Sequence, residues 1–354
     1  MERYLGIDVH LQSCTIAVVS NTGKRLKSMV VETNGQALVE AVRLIPGRRH
    51  ICIEEGTQSA WLVEILGPHS EEIVVSVPMR ERGQPKSDKR DAWKLAEELR
   101  TGAIRIRVYK PPVHLGGLRC AMRGDLATSE DIVRAKNRLK AVFRSRGIPT
   151  DASVYNPKRR SRWIAQLPRP QQQLAELLGQ ELDLLEPLQL QAKKWLATEA
   201  KAHRICRILA TAPGMGRTRT AQLVAVVGTP HRFRTRRQFW SYCGLAVVTR
   251  STADWSRRED SWVRAQVNQT RGLTRRRNAL LKTVFKGAAT TVIRQLPQDP
   301  LHQHYERMTR SGIKPTLAKL TLARRIAATV LSMWKNEEVY DKKRHAVLTD
   351  GDDK

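Results

Sequence analysis

The order of apolar runs in the first hundred residues constrains the fold more tightly than any other feature of this 354-residue chain. Residues 4–7 form one short run and residues 14–19 a second, and Ser20-Asn21-Thr22-Gly23 then supplies turn chemistry before residues 25–32. Two such runs around a Gly-bearing turn predict a hairpin. Ala37, Leu38, Ala41, Val42 and Leu44 recur at helical spacing. A run at Ile51-Cys52-Ile53, a helix over 59–66, a strand over 73–77 and a helix over 87–99 complete the series. Three strands joined by tight turns, then alternating helices and strands, predict a mixed sheet covered by helices.

That order is the one a ribonuclease-H-like domain shows. From about residue 118 to 202 the pattern turns helical and charged, with Leu182, Leu184, Leu185, Leu188 and Leu190 among Glu, Gln and Lys and with Pro187 as the one interruption. This predicts a helical hairpin or coiled-coil arm. The Pro-, Arg- and Ser-rich stretch 149–161 reads as its loop. The expected fold class is therefore α/β plus α. A RuvC-like mixed sheet is expected over residues 1–112, the arm over 113–202, a mostly helical domain over 203–340, and a disordered tail over 341–354.

Composition narrows the function. Lys and Arg number 63 against 34 acids, a formal charge of +29. A folded chain carries such self-repulsion most readily when its partner is a polyanion. At 41% hydrophobic residues the chain is not a disordered basic tail. No run approaches the 18 or so apolar residues of a membrane span. The opening MERYLGIDVH lacks a secretory apolar core, so a cytoplasmic protein without a membrane partner is expected. Five scattered cysteines without a CxxC argue against a disulfide framework or structural zinc. Between His231 and Lys282 there are thirteen Lys/Arg against three acids, interleaved with Phe233, Phe239, Trp240, Tyr242, Trp255 and Trp262. Such a surplus points to phosphate contacts, although tryptophans are more often core than stacking platforms.

In so basic a chain the acids near strand ends are informative. Asp8 ends the first strand, Glu54 and Glu55 end another, and Asp88 and Asp91 lie three apart at a helix start. Carboxylate oxygens bind hard divalent cations, so such a set suits Mg²⁺ and phosphoryl transfer. Each acid also has a plainer role: Asp88 an N-cap with Asp91 in its capping box, Glu54 and Glu55 solvated, Asp8 a turn residue. The combination favours the metal. A sugar-kinase or actin-like ATPase start is disfavoured, because His10, Leu11, Gln12 and Ser13 provide no glycine for a phosphate loop.

These residues resemble the DEDD-type insertion-sequence transposases, a family close to the pilin-gene invertases, whose studied members are guided by a bridge RNA. Gly6-Ile7-Asp8-Val9-His10 resembles the opening Asp motif, and Lys86-Ser87-Asp88-Lys89-Arg90-Asp91-Ala92 resembles the Lys-Thr-Asp-x-x-Asp-Ala motif. Glu55-Gly56-Thr57-Gln58 resembles Glu-Ala-Thr-Gly, with Glu54 as the alternative register. Pro213-Gly214-Met215-Gly216 is similar to a Pro-Gly-Ile-Gly element, Thr270-Arg271-Gly272-Leu273 to Lys-Arg-Gly-Asn, and residues 323–327 to the closing Ala-Arg-Lys helix. After Gly244-Leu245, Val247 replaces the usual Pro, and Ser251 stands at the family's serine, with Thr252 as the competing register.

The resemblance implies a transposase or site-specific recombinase in which Asp8, Glu55, Asp88 and Asp91 hold Mg²⁺ and Ser251 forms a covalent phosphoserine link. It further implies nucleic-acid contacts from Arg250, Arg257, Arg258, Arg271, Arg275, Arg276 and Arg277. The expected partners are donor and target DNA, a guide RNA, and further copies of the chain in a dimer or tetramer. Two rivals remain at this point: a RuvC-like Mg²⁺-dependent Holliday-junction nuclease and a non-catalytic nucleic-acid-binding protein.

Overall fold

A computed structural model describes residues 1–77, 87–251, 255–264 and 268–343. The chain divides into two compact units, Met1–Val113 and His114–Lys354.

In the first unit, β1 (Glu2–Val9), β2 (Ser13–Ser20) and β3 (Arg25–Glu32) form an antiparallel meander. The turn after β2 places Gly23 at φ +86°, a conformation that glycine adopts without a Cβ penalty. Helix α1 (Gly35–Arg43) leads to β4 (Arg48–Glu54), which pairs parallel with β1; α2 (Ser59–Leu66) leads to β5 (Glu72–Ser76), parallel with β4. The strand order is β3-β2-β1-β4-β5, and α3 (Asp88–Arg100) comes after β5 in the chain. This is the helix-covered mixed sheet expected from the sequence.

Alternation along the strands divides the core between two faces. Leu5, Ile7, Ile16, Ile51 and Ile53 pack with Leu38 and Val42 of α1 and Leu62 and Leu66 of α2. On the other face, Ala17 and Val19 meet Ala92, Trp93 and Ala96 of α3, while Cys52 and Val74 meet its Leu95 and Leu99. Gly6 lets α3 approach closely. A methyl at this position would collide with the Ala92 carbonyl and lie 2.5 Å from the Ala96 nitrogen.

The second unit opens with α4 (Gly116–Arg144), α5 (Pro157–Ile164) and α6 (Arg169–Ala202), of which α4 and α6 pack along their length. Helix α6 continues through Pro187, so the expected interruption is not a break. The expected loop over 149–161 is corrected as well, because α5 begins within it. Asn156 accepts from the Lys158 N–H as N-cap and Pro157 occupies the first turn, two residues that read as breakers in sequence and start a helix in place.

The roots of α4 and α6 share one core with helices from later in the chain. Leu118, Met122 and Leu196 pack with residues of α8 (Gly216–Val227), α10 (Ala279–Gln295) and α12 (Pro315–Asn336). The remaining helices are α7 (Arg204–Leu209), α9 (Arg236–Tyr242) and α11 (Pro300–Arg310). Between α9 and α10 lie β6 (Val247–Ser251) paired with β9 (Asn268–Leu273), and β7 (Trp255–Arg258) paired with β8 (Ser261–Arg264), all antiparallel. The expected tail lies, from residue 344 onward, outside the described residues. Among the described residues no helix is long and apolar enough to cross a membrane.

Candidate metal centre

Asp8 lies one residue before the end of β1 and is buried, 7% exposed, on the sheet face that receives α3. Residue alternation puts Tyr4, Gly6 and Asp8 on that face, opposite Leu5 and Ile7. His10 comes two residues later, and its Nε2 lies 3.2 Å from Asp8 Oδ2 and 3.3 Å from Asp88 Oδ1. One ligand atom from each of Asp8, His10 and Asp88 falls within 4.8 Å of the others. Residues 6, 88 and 92 explain why: the missing side chain at Gly6 lets α3 sit close enough for its first turn to reach the end of β1.

Asp88 and Asp91 both belong to the first turn of α3, where the helix dipole favours negative charge. The capping-box reading fails. Ser87 is the N-cap, its side chain makes no capping bond, and Asp88 is the first helical residue. Both carboxylates are therefore free of a capping duty. Burial pushes the Asp8 carboxyl above the ordinary carboxylate range; the nearby His10 opposes this, and the charges of Asp88 and Asp91 add to it. Three mutually repelling acids, one of them desolvated, constitute an electrostatic deficit that a divalent cation relieves.

The two strand-end glutamates separate. The pairing of Ile7 with Ile53 places Glu54 next to Asp8, and alternation from Cys52 puts it on the α3 face. Glu55 is engaged elsewhere: Lys110 Nζ lies 2.6 Å from its Oε2, and Ser59 Oγ donates to the same oxygen at 3.3 Å. The sequence reading quotes His10 within the opening Asp motif and gives it no role of its own. The signal was an Asp-x-His at a strand end, two residues that share a face.

In the second unit, Ser251 is the last residue of β6, paired with Asn268. The side chains of Ser251, Arg250, Arg258 and Arg271, and the whole of Thr252, lie outside the described residues. Arg275 and Arg276 are exposed. Arg277 is partly structural, since its aliphatic stem packs on Gly244 and its Nη1 donates to the Thr274 carbonyl. Arg257 is exposed, and among the described residues its ion-pair partner is the exposed Asp260 at 3.8 Å, a contact of little energetic weight.

The aromatics of the basic region divide sharply. Phe239 stacks edge-on with Phe233 and Phe285, Tyr242 sits against Phe233, and Trp240 Nε1 donates to the Arg324 carbonyl. Trp255 and Trp262 are 61% and 66% exposed, which corrects the expectation that they are core. The Pro213-Gly214-Met215-Gly216 element is a helix-joining turn: Gly214, at φ +74°, packs on the Ala288 backbone, and its carbonyl accepts from Arg219 Nη1 at 2.6 Å.

Sequence reasoning also passed over the tip of the arm. Three cations of the arm are paired: Lys136 with Glu186, Arg138 with Glu181, and Arg160 of α5 with Asp183 in a bidentate contact. At the tip, Arg144, Arg146, Lys158, Arg159, Arg162 and Arg169 are exposed and make no ion pair among the described residues.

Residues 5–146 match the family model of the DEDD transposases of IS110 type, and residues 206–306 match the transposase model of the IS116/IS110/IS902 family. The chain is also 23% identical over 299 residues to the Sinorhizobium fredii (strain NBRC 101917 / NGR234) protein named "Putative transposase y4qE", covering 82% of this chain and 72% of that one. With one model on the acid-bearing unit and the other on the basic one, the chain belongs to the IS110-type DEDD transposases, enzymes that cut and rejoin DNA.

Proposed function

We propose that the protein moves a mobile insertion sequence by exchanging phosphodiester bonds in DNA, with a Mg²⁺ held by Asp8, Asp88 and Asp91 and with Ser251 as the nucleophile. The observation that carries this reading is the convergence of Asp8, His10 and Asp88 at the end of β1. The donor set fits a hard cation: carboxylate oxygens predominate, and the buried Asp8 needs a counter-charge. Glu54, next to Asp8 across the β1–β4 pairing and on the same face, completes the set in place of Glu55. Bound there, Mg²⁺ supplies Lewis acidity to a phosphate oxygen.

His10 orients the Asp8 and Asp88 carboxylates. Ser251 Oγ displaces a deoxyribose oxygen from phosphorus; the serine gives up its proton and the leaving oxygen gains one, so the bond is exchanged rather than hydrolysed. Arg250, Arg257, Arg258, Arg271, Arg275 and Arg276, with the unpaired cations at the tip of the arm, supply phosphate contacts. A guide RNA fits the net charge of +29. On α6, the exposed Leu174, Leu177, Leu184, Leu188 and Trp195 keep a heptad spacing and support pairing with a second copy.

The test is a suicide DNA substrate with Asp8→Asn and Ser251→Ala. Asp8→Asn is expected to lose cleavage by more than about a thousandfold together with Mn²⁺ binding in calorimetry. Ser251→Ala is expected to lose the protein–DNA adduct on a denaturing gel. Strand cutting that survives Ser251→Ala would instead indicate a nuclease that activates water. Full cleavage by Asp8→Asn would remove Asp8 and its metal from the chemistry.

A further inference from the structure

We propose that the β7–β8 hairpin is a stacking platform for unpaired bases of a nucleic-acid strand. The starting point is an anomaly of exposure. The other aromatics of the basic region are packed or half-buried, whereas Trp255 and Trp262 stand in solvent. A large indole left exposed marks a contact surface more often than a packing residue.

The register makes the two indoles a single surface. Arg257 pairs with Trp262, and Trp255 pairs with Arg264. Cross-strand partners share a face, and so do residues two apart, so Trp255, Arg257 and Trp262 lie together on one side of the hairpin. Val263, at the register position opposite residue 256, belongs to the other side. The two tryptophans are thus diagonal neighbours, with Arg257 beside them. Its side chain is 68% exposed.

The hairpin also stands apart from the cores. None of the hydrophobic clusters formed by the described residues contains any of residues 255–264. A two-stranded sheet this short gains little from its own pairing, so the indoles contribute little to the fold. Chemistry then selects the occupant. Indole faces stack on bases of any identity, and a guanidinium beside them meets the backbone phosphate. A duplex offers its bases only edge-on within the grooves, so the π-faces must come from a strand whose bases are unpaired. This assignment rests on the reading of the protein as a DNA-handling enzyme and names the form of strand that this surface takes.

The test uses the full chain without divalent cation, in the Asp8→Asn background, so that it is independent of the metal centre. Binding of oligo(dT) and of a mixed-sequence duplex of about 30 base pairs, long enough to cover a typical interface, is measured by anisotropy for Trp255→Ala, Trp262→Ala and the double variant. Each single variant is expected to weaken oligo(dT) binding about tenfold and duplex binding less than about twofold. Trp262→Phe is expected to restore most of the loss, and oligo(dT) is expected to quench the tryptophan emission of the parent but not of the double variant. Equal losses on both DNAs, or none on either, would overturn the assignment. So would a change in oligomeric state by light scattering, which would make the surface a protein contact.

Discussion

The five-stranded sheet of the first unit is covered by helices on both faces, while the β7–β8 hairpin of the second joins none of the hydrophobic clusters among the described residues and leaves its two indoles exposed. In the sheet, apolar side chains are consumed by packing, and the polar chemistry is pushed to where strands end and α3 begins. In the hairpin, the apolar side chains themselves are left over. The contrast shows two ways in which a chain keeps residues available for a ligand: acids held at the rim of a packed core, and indoles withheld from any core.

The largest expected effect breaks the covered side of this comparison. Gly6→Val drives a side chain into the α3 backbone and should cost the first unit about 3 kcal/mol. Urea unfolding would show an earlier transition, with Mn²⁺ binding lost in parallel.

A buried acid gives the second unit's covered part its own test. Asp125 of α4 is 3% exposed, one carboxylate oxygen has no hydrogen-bond partner, and burial pushes its carboxyl above the ordinary range. A group with a raised native pKa stabilises the fold below its unfolded value, near 3.9, and loses that contribution as pH rises through the native value. Asp125→Asn should therefore be more stable than the parent by about 1–2 kcal/mol at about pH 8, with the difference vanishing below about pH 4. Thermal melts across that range would show the parent falling away from the variant as pH rises.

Asp8→Asn removes the repulsion with Asp88 and Asp91 and should raise stability by about 1 kcal/mol in cation-free buffer, a shift of a few degrees. The same variant should show no further rise with Mn²⁺, unlike the parent. The smallest effect sharpens the uncovered side: Trp262→Ala should change stability by less than about 0.5 kcal/mol, because its indole is solvated. A larger loss in calorimetry would mean that the hairpin packs on something.

The first hundred residues were readable because their signals are local. Helices α1 and α2 and strands β1 to β5 announce themselves by periods of 3.6 and 2, and the acids were conspicuous in a basic chain. What escaped depends on three-dimensional context. Helix α5 was hidden because Asn156 and Pro157 suit a turn and a helix start equally, and only the packing of the helix after them decides between the two. Strands β7 and β8 have no apolar alternation facing a core, as Trp-Ser-Arg-Arg illustrates. Glu54 and Glu55 are chemically equivalent in sequence, and only the register with Ile7 and the claim of Lys110 on Glu55 separate them.

Residue 6 has a further consequence for how such genes decay. Its hydrogen is the spacer that brings α3 against β1, so a bulkier substituent there would spread the carboxylates apart while leaving every one of them in the reading frame. A copy of the element damaged in this way would pass inspection by its acids and still be inert.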